Sequence, residues 1–374
     1  MGPVKQTVCL NMIVKNEAHV IERCLESVRP LIDTWVILDT GSTDGTQDVI
    51  REVYRDLPGE LHESPWKGYD GSRTEAIELA RDKADYLLFI DADDVMEIRP
   101  GFRMPQLTHD AYRIALHTVS MKHYRQAMVS TRLPWRYVGV LHEYIECGRR
   151  HSIGMIDGFN ILSLGGGARM KGEGQRNKYL RDAETLQQGL LKEPDNTRYV
   201  FYLAQSWRDA GEPEKSLEAY DRRAAMGGWP EEVFCSHLYA ARLAARLGRP
   251  QAELIDRLLR AHECRPTRAE ALGELARLCR QSGPRWPLAH LFARQAARIP
   301  YSKDILFVEH AWYEWRALDE LAVSAYWMGE YEESRSCCER LLEGGKLPSE
   351  HRDRVMRNLE FAQRKLGSKE LVDA

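Results

Sequence analysis

The stretch Leu87-Leu88-Phe89-Ile90-Asp91-Ala92-Asp93-Asp94 is an apolar run that ends abruptly in three carboxylates. Read with Tyr86, it predicts a buried strand over Tyr86–Asp91, because a run apolar at successive positions suits a strand covered on both faces. Open α/β sheets bind ligands at the carboxyl ends of their strands. Two carboxylates two residues apart can grip a hard divalent cation and the diphosphate oxygens it bridges. Without a cation such clustering is costly. The plainer reading is an acidic strand end that caps a following helix.

Upstream, strand-like runs at Val8–Val14, Trp35–Asp39 and Leu61–Glu63 alternate with helical patterns at Glu17–Val28, Thr46–Tyr54 and Arg73–Lys83. In the first of these helices Val20, Ile21, Cys24 and Val28 form one apolar stripe. The βαβαβαβ rhythm predicts an α/β domain with a mixed, mostly parallel sheet. Beyond Asp94 the pieces at Ala111–Val119, Ala127–Ser130, Trp135–Val138 and Ser152–Ile156 have strand character without clear helices, and read as antiparallel additions to a sheet edge. Gly165–Gly174 is glycine-rich and basic, and is expected to be a mobile loop over the site. Its Lys171, with Arg176, could close over a diphosphate or stand as incidental charge. The expected boundary follows it, giving an α/β domain over 1–176 and a helical domain over 177–374.

From about Asn177 the pattern is helical, with turns marked by Gly211, Gly248, Gly283 and Gly329. Tyr199–Ala225 sets small Ala204 and Ala219 and aromatic Tyr202 and Tyr220 about Gly211, and resembles a tetratricopeptide unit. Leu318–Leu342 resembles a second. The units His237–His262 and Ala269–Ala297 are degenerate, and Ile299–Trp315 breaks the period. Three to five hairpins are expected, with Arg354–Leu366 capping the stack by a polar face.

Further site residues lie at other strand ends. Val36-Ile37-Leu38-Asp39 runs into Thr40-Gly41-Ser42-Thr43-Asp44-Gly45-Thr46. There Asp39 could accept from the imide N–H of a uracil, or simply support the turn, while Thr46 could cap a helix. Arg73, expected at a helix start, suits phosphate or base recognition, with a surface arginine as the alternative.

Together, Val8–Val14 with Lys15-Asn16-Glu17, the Asp39–Thr46 segment, Trp66 with Arg73, and Ile90-Asp91-Ala92-Asp93-Asp94 resemble the GT-A nucleotide-sugar domain of family 2 glycosyltransferases, in the family's order, over roughly residues 7–182. The resemblance implies a nucleotide-diphosphate sugar donor, most often a UDP-sugar, and inversion at the anomeric carbon. It places Lys15, Asn16, Glu17, Asp39, Trp66, Arg73, Asp91, Ala92 and Asp93 about the donor, with Asp93 ligating Mn2+ or Mg2+. Trp135-Arg136-Tyr137-Val138-Gly139-Val140-Leu141-His142-Glu143 resembles the aromatic-Gly-x-x-His-Glu segment of the subgroup that carries helical repeats. Glu143 is then the expected catalytic base, and His142 a metal or diphosphate ligand, or else a hydrogen-bonded core histidine. Two departures stand out. Thr74 replaces the usual asparagine after the arginine, and Ser163-Leu164-Gly165 replaces a His-x-Gly, which removes one candidate metal ligand.

At 374 residues the chain is too long for one ordinary core, which agrees with two domains. A net charge of −3 gives no electrostatic case for nucleic acid or an anionic membrane surface. No stretch approaches a membrane span, and Met1–Gln6 leads into a strand without a signal-peptide core, so a cytoplasmic location is expected. The eight cysteines show no CxxC pair and read as reduced core thiols. No GxGxxG follows the first strand, which disfavours a dinucleotide oxidoreductase.

The favoured acceptor is a peptide or protein held partly by the helical repeats, as in the bacterial peptide and protein glycosyltransferases the chain is similar to. A cell-envelope glycan or lipid-linked saccharide is the alternative acceptor, and a non-catalytic repeat scaffold the alternative function. The helical half could instead pack on the catalytic domain or join two copies as a homodimer.

Overall fold

A computed structural model describes residues 5–118, 122–164, 174–281, 283 and 285–370. The central strand β1 (Val8–Val14) sends alternate side chains to opposite faces of the sheet. Val8, Leu10, Met12 and Val14 enter a core with Ile21, Cys24, Leu25 and Val28 of helix α1 (Ile21–Val28) and Ile50 of α2 (Thr46–Val53). Cys9 enters the opposite core with Ile77 and Ala80 of α3 (Tyr69–Ala80) and with Trp135. Burying each such aliphatic side chain contributes roughly 1.5–3 kcal/mol. Asn11, buried on β1, donates its amide to the carbonyls of Val36 and Ala76 and so ties α3 to the sheet.

β1 pairs in parallel with β2 (Thr34–Asp39) and β4 (Tyr86–Phe89), and β2 with β3 (Gly59–Glu63). The sheet continues through β5 (Asp94–Ile98), β6 (Ala111–His117), β7 (Lys122–Ser130), β10 (Ile153–Met155) and β11 (Phe159–Ser163), in the order β3-β2-β1-β4-β7-β6-β11-β5 with β10 beside β6. β8 (Arg136–Val138) and β9 (Tyr144–Glu146) form a separate antiparallel ribbon. The mixed, mostly parallel α/β architecture is therefore as expected.

Local boundaries differ where tertiary contacts decide them. The strand expected over Tyr86–Asp91 ends at Phe89, and the acidic residues enter a turn in which the Asp94 amide donates to the Asp91 carbonyl. α3 starts at Tyr69, so Arg73 lies beyond its first turn, not at its start. β10 pairs in parallel with β6, not antiparallel. Val119 and the expected loop residues 165–173, with Lys171, lie outside the described residues; Arg176 belongs to α4 (Gln175–Lys192).

The chain divides into two compact units, Met1–Gly211 and Glu212–Ala374. The division lies one helix pair beyond the expected 176/177 boundary. α4 and α5 (Thr197–Asp209) belong to the first unit because Tyr199 and Gly189 pack on Val140.

The second unit is helical. It contains α6 (Pro213–Ala225), α7 (Pro230–Arg246), α8 (Gln251–Cys264), α9 (Glu270–Gln281), α10 (Trp286–Arg298), α11 (Ala317–Met328), α12 (Tyr331–Glu343) and α13 (Ser349–Glu370). Gly248, Gly283 and Gly329 stand between α7 and α8, α9 and α10, and α11 and α12, at φ of 68, 76 and 81°. That left-handed region disfavours residues with a Cβ, so the recurrence of glycine marks real turns.

The break in period at Ile299–Trp315 has a structural cause. Its backbone is captured by buried charge: Arg268 donates to the carbonyls of Leu306 and Phe307 while paired with Glu270, and Glu231 accepts from the amides of Ile305 and Leu306. Fully satisfied, such a network fixes one geometry for an irregular segment. A π-helical turn follows at Trp312–Arg316, and the Trp312 ring lies where a Cβ on Gly273 would stand. Gly273→Ala should therefore overpack α9 against Trp312 and lower stability by about 1–3 kcal/mol in urea unfolding. A variant as stable as the parent would mean that the ring can move aside at little cost.

All eight cysteines are free thiols, and all but Cys264 are buried. Burial pushes the Cys9 thiol up to about 12 and that of Cys337 to about 11, which suppresses the reactive thiolate. Among the described residues no helix is long and apolar enough to cross a membrane.

Candidate active site

At the carboxyl end of β2, Asp39 is wholly buried. Its Oδ1 accepts from the amides of Gly41 and Ser42, both at 2.7 Å, which fixes the carboxylate. Its Oδ2 is a buried acceptor with no hydrogen-bond partner among the described residues, an arrangement that calls for an outside donor. The loops after β1 and β2 are laced together. The Asn16 amide donates to Ser42 Oγ, Asn16 Oδ1 accepts from the Thr43 amide, and the Glu17 amide donates to Thr46 Oγ1. Thr46 is thus not the helix cap; Gly45 is, at a φ of 90°. Lys15 is exposed beside this lacing.

The centre of the site is a chain of charges. Arg73 Nη2 donates to Asp91 Oδ1 at 2.6 Å, and Arg125 Nη1 to Asp91 Oδ2 at 2.7 Å. Arg73 Nε lies 2.6 Å from Glu143 Oε1, an ion pair without hydrogen-bond alignment. Burial acts to raise the Asp91 carboxyl, but the guanidiniums of Arg125 and Arg73 outweigh it and hold the group well below the usual carboxylate range. Tyr137 underlies Arg73, its ring centroid 5.4 Å from the guanidinium, and burial pushes its phenol up to about 12. The structure therefore joins three expected residues, Arg73, Asp91 and Glu143, that are far apart in sequence.

Next along the acidic turn, Ala92 is buried and Asp93 half-buried, with the Asp93 carbonyl accepting from Arg23 at 3.0 Å. Asp94 is buried, and its carboxyl is pushed up to about 7 by burial and by the charges of Asp91 and Asp93, against the pull of Arg125. Three carboxylates, of Asp91, Asp93 and Asp94, thus lie within one turn, a donor type that suits a hard cation. Both oxygens of Asp91 are engaged by arginines, and Asp94 opens β5. No group of three His, Cys, Asp or Glu converges as a metal set among the described residues. The ring of His142 stacks on Tyr202, centroids 3.8 Å apart.

Trp66 stands 44% exposed, edge-on to Tyr69. A shallow cavity of about 370 Å3 runs along α3, lined by Lys67, Asp70, Thr74, Glu75, Glu78 and Tyr137 among others, and none of the expected donor residues lines it.

Sequence reasoning missed Arg125. Its segment was expected to become a strand only at Ala127, so the arginine's place in a sheet went unread. The available signal was a charge at an alternating position of Lys122–Ser130. Arg198 and Tyr202 were missed as well, because Tyr202 was assigned to the repeat and Arg198 to the helical domain.

Residues 9–99 match the family model Glycosyl transferase family 2. A TPR repeat-containing protein of Synechococcus elongatus is 36% identical over 94 residues, 25% of this chain and 22% of that one. The SPbeta prophage-derived glycosyltransferase SunS of Bacillus subtilis is 23% identical over 223 residues, 57% of this chain and 52% of that one. The chain thus spans about half or less of the length of these two relatives. Among solved structures, the C-terminal part of a TPR repeat-containing protein from Cytophaga hutchinsonii is similar at a TM-score of 0.38 and 16% identity, covering 50% of this chain and 72% of that one. The family 2 match falls within the first unit, and the helices of the second unit follow it in the chain.

Proposed function

We propose that the protein is an inverting glycosyltransferase that moves a sugar from a nucleotide-diphosphate sugar, a UDP-sugar in the favoured case, to a peptide or protein acceptor. The observation that carries this reading is the convergence of Glu143, Arg73 and Asp91 beside the acidic turn that follows β4, within one unit with the buried, half-satisfied Asp39.

Each group then has a part. Asp39 Oδ2 accepts the imide N–H of the base. Asp91, fixed by two guanidiniums, retains lone pairs for the ribose hydroxyls. The acceptor's nucleophilic atom attacks the anomeric carbon, the carbon–oxygen bond to the diphosphate breaks, and the acceptor's proton passes to the Glu143 carboxylate. Arg73 orients Glu143 for that transfer. A divalent ion, Mn2+ or Mg2+, would be held by Asp93 and, when bound, would neutralise charge on the departing diphosphate. The helical hairpins offer a repeating surface of the kind that takes extended chains.

The test is thermal unfolding and sugar hydrolysis across UDP-, GDP-, dTDP- and CMP-sugars, with Mn2+, Mg2+ or EDTA. A UDP-sugar with metal at 100-fold its Kd should stabilise the protein by about 2.7 kcal/mol. If no nucleotide sugar shifts the transition at any metal concentration, the transferase reading fails and the repeat scaffold replaces it.

A further inference from the structure

The segment that presents Glu143 does not hold itself in place. Gly139 has a φ of 121° and His142 a φ of 51°, the latter a left-handed conformation that a residue with a Cβ adopts only when its surroundings impose it. The surroundings here are α4 and α5. The His142 ring lies flat on Tyr202, with 8° between the planes, and Arg198 Nε donates to the His142 carbonyl at 2.9 Å. The Arg198 guanidinium covers the rings of Tyr202 and Tyr144, at 4.9 and 5.3 Å from their centroids. The Val140 amide donates to Tyr199 Oη at 3.2 Å, and Gly189 lacks the side chain that would crowd Val140. Glu143 is thereby held between this hairpin and Arg73.

We infer that Tyr202 and Arg198 are positioning residues for the transfer reaction: they impose the left-handed His142 that delivers Glu143 to the site. The helix pair α4–α5 then serves the catalytic centre rather than the acceptor surface. The inference rests on the reading of Glu143 as the base. Without the stacked ring and the arginine, His142 returns to an ordinary backbone conformation and Glu143 leaves its contact with Arg73.

The test measures kcat and KM for UDP-glucose hydrolysis with Mn2+, and UDP binding by calorimetry, in Tyr202→Ala, Tyr202→Phe and their combinations with Glu143→Gln. Tyr202→Ala should lower kcat about tenfold or more while UDP affinity stays within about twofold, and Tyr202→Phe should restore the rate. In the Glu143→Gln background Tyr202→Ala should add almost nothing, because it acts through that residue. An unchanged kcat, or an equal loss in both backgrounds, overturns the inference while leaving the base in place. Full activity of Glu143→Gln itself overturns the base reading. Hydrogen exchange of residues 139–144 gives a readout independent of the donor. Exchange should quicken in Tyr202→Ala, and unaltered protection overturns the inference even if UDP-glucose is not the donor. Should Tyr202→Ala fail to fold, Tyr202→Leu, which keeps apolar volume without the ring, takes its place with the same outcomes.

Discussion

Asp93→Ala is expected to abolish metal-dependent turnover, by roughly 10³-fold or more, while the protein stays folded. The magnitude is that of removing charge stabilisation from a departing diphosphate, where electrostatic contributions dominate catalysis. The fold should survive because Asp93 sits half-buried in a turn, not in a core. Relief of like charge on Asp94 should even offset part of any loss, since Asp93 helps push that carboxyl up to about 7. Turnover measured against Mn2+ concentration, beside a thermal melt, decides the matter. A folded variant with full activity removes Asp93 from the metal site.

Glu143→Gln should keep donor binding and lose about 10²-fold or more in kcat, the usual scale for a positioned general base. Glutamine keeps the shape but has no carboxylate to take the proton, and Arg73 retains its hydrogen bond to Asp91, so the neighbouring geometry persists. Comparing single-turnover rates with UDP affinity separates chemistry from binding. Unchanged turnover would send the base to another residue.

β1, β2 and β4 were legible because parallel strands covered on both faces read as nearly unbroken apolar runs. β5, β9 and β11 were not. They are three to five residues long, and pairing specifies them: Asp94 of β5 lies opposite Ser163 of β11. Asp39, Arg73, Asp91 and Glu143 could each be picked out by strand-end position or resemblance. Their convergence could not, since register and the α3 connection bring Arg73 between Asp91 and Glu143. Arg125 stayed hidden because an arginine in a strand gives no sign of which carboxylate it will meet. The allegiance of α4 and α5 was illegible for a different reason. Helical periodicity states that one face is buried but not against what, and Tyr202 fits a repeat signature and the stack on His142 equally well.

The division at Gly211 bears on how such chains can be recombined. Exchange of repeats between relatives would be tolerated only if the junction leaves α4 and α5 with their parent, so the natural crossover point lies at Gly211/Glu212. A chimera joined at the glycine-rich segment before α4 would inherit foreign residues at 198 and 202. On the reading of Glu143 as the base, a joint there would displace it, and selection among recombinants would favour the later joint.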